Sequence, residues 1–262
     1  MSEITLTRTP WPPNFPDVVL HTDVRTRDAD PDYHAAKSGD ADAAVSLALR
    51  LLDDAAAAKL GQLIGQREAY MLPVVADETM GFNAIPDAMA QLLGRMLGLP
   101  VASGEIVQIN KVGHTRAPAF QRIVTPAVFG GPVEPAGNYV LVDDHVGLGG
   151  TLANLKGYVE LREGRVLAIT TLTESRDARR ISLRSETLAV LTKRHGGELD
   201  IFWKAQFGHG IDCLTEVEAQ NLCRQPTLAA IKSFLDQAAI EARGRGLRPK
   251  TAARGASDDA AE

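Results

Sequence analysis

Two adjacent acids, Asp143 and Asp144, close an apolar run and are followed by a glycine-rich turn in "YVLVDDHVGLGGTL". A glycine-rich turn that opens a helix presents unpaired backbone N–H groups and the positive end of the helix dipole, which together hold a phosphate. Val146, Gly147, Leu148, Gly149 and Gly150 supply that backbone, and Thr151 adds a hydroxyl. Carboxylates beside such a cradle repel an anion unless they have another task. Accepting hydrogen bonds from ribose hydroxyls is one such task, and holding a magnesium-bound sugar is another. A ribose 5-phosphate satisfies both halves of the window.

Acids at a strand end and phosphate at a helix start require a strand, a turn and a helix in that order. The spacing predicts a strand over Tyr139–Asp143 and a helix over about Gly150–Arg162, with "RVLAITTLTES" as a further strand. Upstream, "YMLPVVA", "DAMAQLLGRMLG" and "SGEIVQIN" read as strand, helix and strand. Repeated βαβ units imply a parallel sheet with right-handed crossovers, whose ligands sit at the carboxyl ends of the strands. Four divisions are expected: an extended arm over 1–30 with a short strand at "DVVLHT", an α/β core over 31–175, a helical region packed on it over 176–243, and a disordered tail over 244–262. In the helical region, Phe202, Trp203 and Phe207 read as core, and His209 lies in a Gly-flanked turn of no legible purpose.

Composition narrows the function. The 262 residues carry a net charge of −5 and are 45% hydrophobic, so no domain-wide basic field invites nucleic acid. No apolar run reaches the roughly 18 to 20 residues of a membrane span, and the start lacks a signal-peptide core, so a soluble, cytoplasmic protein is expected. Cys213 and Cys223 make neither a metal knuckle nor a disulfide scaffold. No "GxSxG" elbow or Ser-His-Asp order offers a nucleophilic side chain.

On these residues the chain resembles the type I phosphoribosyltransferases. Their signature is a hydrophobic strand, two acids, two mostly apolar positions, small or hydroxyl residues, then Gly, any residue, and Thr or Ser. The strand, Asp143, Asp144, Val146, Gly149 and Thr151 match it. The match fails at His145, where an aliphatic residue is usual, and at Leu148, where Thr or Ser often supplies a phosphate contact. The resemblance implies a parallel-sheet phosphoribosyltransferase-like core with additional N- and C-terminal helices. It also implies transfer of a 5-phosphoribosyl group from 5-phosphoribosyl-1-pyrophosphate (PRPP) to an acceptor such as a nucleobase, with release of pyrophosphate. Asp143 and Asp144 would bind the ribose hydroxyls and touch Mg2+ indirectly, through ribose or water.

By position, Asp77, Glu78, Thr79, Met80 and Gly81 correspond to the pyrophosphate loop, with helix capping as the other reading of the two acids. The segment from Asn110 to about Thr125 corresponds to the lid. Its Lys111, His114, Arg116 and Arg122 are cations suited to a departing pyrophosphate, Lys111 and Arg116 foremost as catalytic residues. PRPP is the expected small-molecule partner, a second copy of the chain is a candidate one, and neither nucleic acid nor membrane is expected. Two other readings use the same residues: a non-catalytic regulator that binds PRPP or a nucleotide, and a different doubly wound enzyme that lays a nucleotide on "GLGGT".

Overall fold

Buried residues fill most positions of the two long strands, as a sheet covered on both faces requires. The computed structural model describes residues 7–78, 81–112 and 117–250. The chain begins with β1 (Val19–Leu20) and four helices, α1 (Val24–Ala29), α2 (Tyr33–Lys37), α3 (Ala41–Leu51) and α4 (Asp54–Ile64). Next come β2 (Tyr70–Pro73), a small ladder of β3 (Asp77–Glu78) with β4 (Gly81–Phe82), and α5 (Ile85–Leu97). Beyond α5 lie β5 (Val107–Gln108), α6 (Ala119–Val124), β6 (Phe129–Gly130), β7 (Asn138–Val146), α7 (Gly150–Glu160) and β8 (Arg165–Glu174). The described chain ends with α8 (Ser185–Phe207), a 3-10 turn at Ile211–Cys213, α9 (Glu216–Cys223) and α10 (Leu228–Gly244). Among the described residues no helix is long and apolar enough to cross a membrane.

The main sheet is parallel and ordered β1-β8-β7-β2. Val140, Val142, Ala168 and Leu172 turn to one face, where α3, α4 and α5 bury Leu47, Leu60 and Met89 against them. Tyr139, Leu141, Val166 and Ile169 turn to the other, against Leu152, Leu155 and Val159 of α7 and against Trp11 and Phe15 of the N-terminal segment. The period-2 alternation of a strand thus divides two layers. A third core joins α6 to α8, α9 and α10 through Val124, Leu199, Trp203, Leu222 and Ile231. Aspartates start α3 and α4: Asp40 accepts from Ala43 N and Asp53 from Ala56 N, each satisfying an orphan first-turn donor.

Four sequence expectations are corrected. The strand bearing the acids does not stop at Asp143 but pairs with β8 as far as Val146. "SGEIVQIN" does not enter the main sheet. Its Val107–Gln108 pairs antiparallel with Phe129–Gly130, because Val101, a short turn after α5, already takes the parallel position beside Met71. The arm over 1–30 is not extended throughout, since Asp23 caps Thr26 N and starts α1. Residues 245–250, read as the start of a disordered tail, are held on α6 and α8: Lys250 donates its backbone N–H to Val124 O and its Nζ to Phe207 O.

Two buried histidines tie stability to pH. His21 Nδ1 accepts the Asp53 backbone N–H (3.1 Å), so Nε2 carries the proton toward Thr170 Oγ1 (3.0 Å). Burial lowers its pKa from 6.5 to about 4, and lowers that of His209 to about 3. Below pH 6.5 the unfolded chain therefore takes up protons that the folded one refuses, and stability falls as pH drops toward 4. For His21 the loss is on the order of 3 kcal/mol. Urea unfolding at pH 7 and pH 4.5 should show it, and His21→Gln should flatten the slope. An unchanged slope in that variant would remove His21 as its source.

Candidate functional site

The sheet narrows at the acids. β2 ends with Pro73 paired to Val142, whereas β8 continues beside β7 to Val146. From Asp143 onward β7 therefore has an open side, at the carboxyl end. The chain also reverses here: β2 leads through α5 outward to Val101, and β7 returns on the other flank of β2. Such a switch point is where a doubly wound sheet forms its ligand crevice.

Asp144 is buried, at 5% exposure, and fully engaged. Its Oδ2 accepts from Lys37 Nζ (2.8 Å) and its Oδ1 from Asn83 Nδ2 (3.1 Å), while its backbone N–H donates to Asp143 Oδ1 (2.8 Å). Burial alone would raise the Asp144 pKa, but the Lys37 ammonium more than offsets this and holds the carboxyl below its ordinary range. Asp143 goes the other way, pushed well up by burial and then by the charge of Asp144. The pair thus releases its protons in two separated steps, as adjacent carboxyls do.

His145 follows, with Nδ1 2.8 Å from Thr173 Oγ1 and Nε2 2.9 Å from Ser175 Oγ. Burial, and then the nearby Arg27 cation, keep its pKa below 6.5. The turn comes next. Gly149 is the N-cap of α7 at φ +80°, a left-handed conformation that glycine adopts without steric cost. Gly147 allows a different approach: a Cβ there would lie 2.9 Å from Arg122 Nη1. Among the described residues, the backbone N–H groups of Gly147, Leu148, Gly149, Gly150 and Thr151 donate no hydrogen bond. Five backbone donors are therefore left for a ligand at this turn, which lies beside a guanidinium.

The C-terminal helices buttress this turn from behind. Thr215 Oγ1 donates to Leu148 O (2.5 Å), and Glu218 packs on Gly150 while ion-paired to Arg8 (2.6 Å). Arg8 also donates to Asn154 Oδ1 (2.6 Å), so the negative charge of Glu218 is matched where a second anion would otherwise be repelled.

Of the residues singled out by sequence, the structure brings together Asp143, Asp144, the backbone from Val146 to Thr151, and Arg122, which sits in α6. Lys111 is exposed beyond β5, and the cations bearing most strongly on the acids and His145 are instead Lys37, Arg27 and Arg122. Thr79, Met80, His114 and Arg116 lie outside the described residues, as do the side chains of Asp77 and Glu78, and Gly81 is described only as backbone in β4. Lys37, Asn83, Arg27, Thr173 and Ser175 were missed. Lys37 stands 107 residues from its partner, and no spacing pattern connects them. Among the described residues no cluster of three His, Cys, Asp or Glu could hold a metal ion.

No family model matches the chain. It is 40% identical over 245 residues to "Protein TraN" of Escherichia coli, covering 94% of this chain and 54% of that protein. It is 38% identical over 152 residues to an uncharacterized protein of Haemophilus influenzae, covering 58% of this chain and 34% of the other. The chain thus spans about half the length of TraN and a third of the Haemophilus protein. Superposition on a crystal structure of adenine phosphoribosyltransferase gives a TM-score of 0.31 at 14% identity, over 50% of this chain and 75% of that one. So low a score does not establish a shared fold.

Proposed function

We propose that the crevice at the end of β7 binds PRPP and that the chain transfers its phosphoribosyl group to an acceptor, releasing pyrophosphate. The observation that carries this reading is the juxtaposition, at the switch point of a parallel sheet, of the Asp143–Asp144 pair with a turn of five unbonded backbone N–H groups. The turn and the α7 dipole take the 5-phosphate, and the carboxylates accept from the ribose hydroxyls. In the transfer, the bond from ribose C1 to pyrophosphate breaks with its electron pair, an acceptor lone pair forms the new bond to C1, and the acceptor's proton passes to solvent. The side chains position the sugar and balance charge. Mg2+ bound with the ligand supplies neutralisation of the pyrophosphate oxygens.

A second reading, a regulator that binds PRPP or a nucleotide without turnover, is favoured by one detail. Both oxygens of Asp144 already have donors, so a ribose hydroxyl must share or displace Lys37 or Asn83. The two readings separate in one experiment: calorimetric titration with PRPP and Mg2+, then a pyrophosphate-release assay across a panel of nucleobases. Magnesium-dependent binding with release supports the transferase. Binding without release, with stabilisation of about 2.7 kcal/mol at a hundredfold excess over Kd, supports the regulator. No binding overturns both.

A further inference from the structure

The edge of the glycine turn carries side chains that backbone phosphate binding does not need. Arg27, in α1 and 8% exposed, spends Nε and Nη2 on Asp28 and turns Nη1 to Thr173 Oγ1 (2.8 Å) and to His145 Nδ1 (3.3 Å). A guanidinium can only donate, so His145 Nδ1 beside it is an acceptor, and Thr173 Oγ1, which accepts from Arg27, donates its own hydrogen to that nitrogen (2.8 Å). The imidazole must then carry its hydrogen on Nε2 and donate it to Ser175 Oγ (2.9 Å). Ser175 accepts there, which leaves its hydroxyl hydrogen for a further acceptor. Its Oγ lies 3.6 Å from where a Gly147 Cβ would be, and Arg122 Nη1 lies 2.9 Å from the same point.

Arg122 is half-buried, its Nε donates to Ala117 O (3.1 Å), and among the described residues no carboxylate pairs with it. A partly desolvated guanidinium with no acid beside it suits an incoming anion. At the centre of the turn, Leu148 offers no hydroxyl.

We propose that Ser175 and Arg122 complete the anion subsite of the Gly147 turn: the Ser175 hydroxyl, oriented by the Arg27–Thr173–His145 relay, and the Arg122 guanidinium bind the ligand's phosphate monoester in place of a hydroxyl at position 148. This rests on the phosphoribosyl reading of the turn. It also gives His145 a purpose that an aliphatic residue could not serve, since only a ring with two nitrogens transmits polarisation from Thr173 to Ser175.

The test is calorimetric titration of the full chain with ribose 5-phosphate, in the wild type and in Ser175→Ala, Arg122→Gln and Arg27→Met. Losing one hydrogen bond to a charged phosphate should weaken binding roughly tenfold in each of the first two. Ser175→Ala should melt like the wild type, because the residue is exposed. In Arg27→Met the 15N resonances of His145 should depart from a fixed Nε2–H tautomer, a change that a merely structural arginine would not cause. Wild-type binding left unaltered in both Ser175→Ala and Arg122→Gln overturns the proposal and leaves the phosphoribosyl reading standing. A wild-type chain that binds no ribose 5-phosphate overturns both.

Discussion

Replacing Glu218 by alanine is expected to cost about 3–5 kcal/mol of folding stability, the usual result of leaving one member of a buried ion pair without its partner. Glu218 and Arg8 are 2% and 6% exposed, and the pair is doubly bonded, Oε2 to Nη1 at 2.6 Å and Oε1 to Nη2 at 3.0 Å. Glu218 Oε2 also accepts the backbone N–H of Thr215 (3.0 Å), closing a capping box at the start of α9. The alanine variant therefore loses the side-chain half of the capping box and strands a guanidinium among Asn154, Gly150 and the α7 turn. Urea unfolding at constant m-value measures this directly. Arg8→Met together with Glu218→Leu should recover most of the loss, since a buried pair is often replaceable by apolar residues of similar volume. A single-variant loss below about 1 kcal/mol would mean that Arg8 finds another partner or reaches water.

The same pair shows why part of the site was illegible. Arg8 belongs to a segment that reads as an arm, Glu218 to a helical region that reads as packed on the core, and 210 residues separate them. Neither carries a local pattern, and their meeting follows from how α9 and the N-terminal segment both pack on α7. By contrast, β7, the turn and α7 were legible because each rests on local physics: an apolar run long enough to be buried on both faces, then glycines where φ must be positive and where a guanidinium comes close. The parallel sheet was equally legible from the alternation of apolar runs and amphipathic helices. The fate of "SGEIVQIN" was not. Its apolar residues are used, Ile106 being buried beneath the sheet, yet burial alone does not say that a segment joins the ladder.

His145 and Leu148 were the two visible departures from the phosphoribosyltransferase pattern, and they flank Gly147, beside which the structure places Ser175 and Arg122. Read as sequence, each is a loss. Read with their neighbours, the polar ring bonds to two hydroxyls at the end of the adjacent strand, and next to the residue that lacks a hydroxyl the chain passes a cation without an acid. What sequence could not supply was the pairing of β7 with β8, which brings Thr173 opposite His145.

Asp144→Asn should weaken PRPP binding by between about tenfold and a hundredfold, the value of one hydrogen bond to a charged acceptor, with little loss of fold. The amide is isosteric and still offers an oxygen to Asn83 or Lys37, and the Lys37 side chain is 29% exposed, so its charge can return to water. Lys37→Met should act differently. Burial pushes the Asp144 pKa up, and the lysine is the main cause that holds it below its ordinary range, with the Asp143 side chain acting in the same direction. Without it the pKa rises, so the carboxylate form is lost from higher pH downward, and binding should fall as the medium is acidified where the wild type still binds. Calorimetric titration of both variants with PRPP and Mg2+ between pH 5.5 and 8, a range set by the ordinary carboxyl and histidine pKa values, distinguishes the two effects. Asp144→Asn should be weak throughout, whereas Lys37→Met should be weak at the acid end and approach the wild type at the alkaline one. If Lys37→Met binds more tightly at every pH, the ammonium competes with the ribose for Asp144, and the Lys37–Asp144 pair is a block that the ligand must displace rather than a support for the acid.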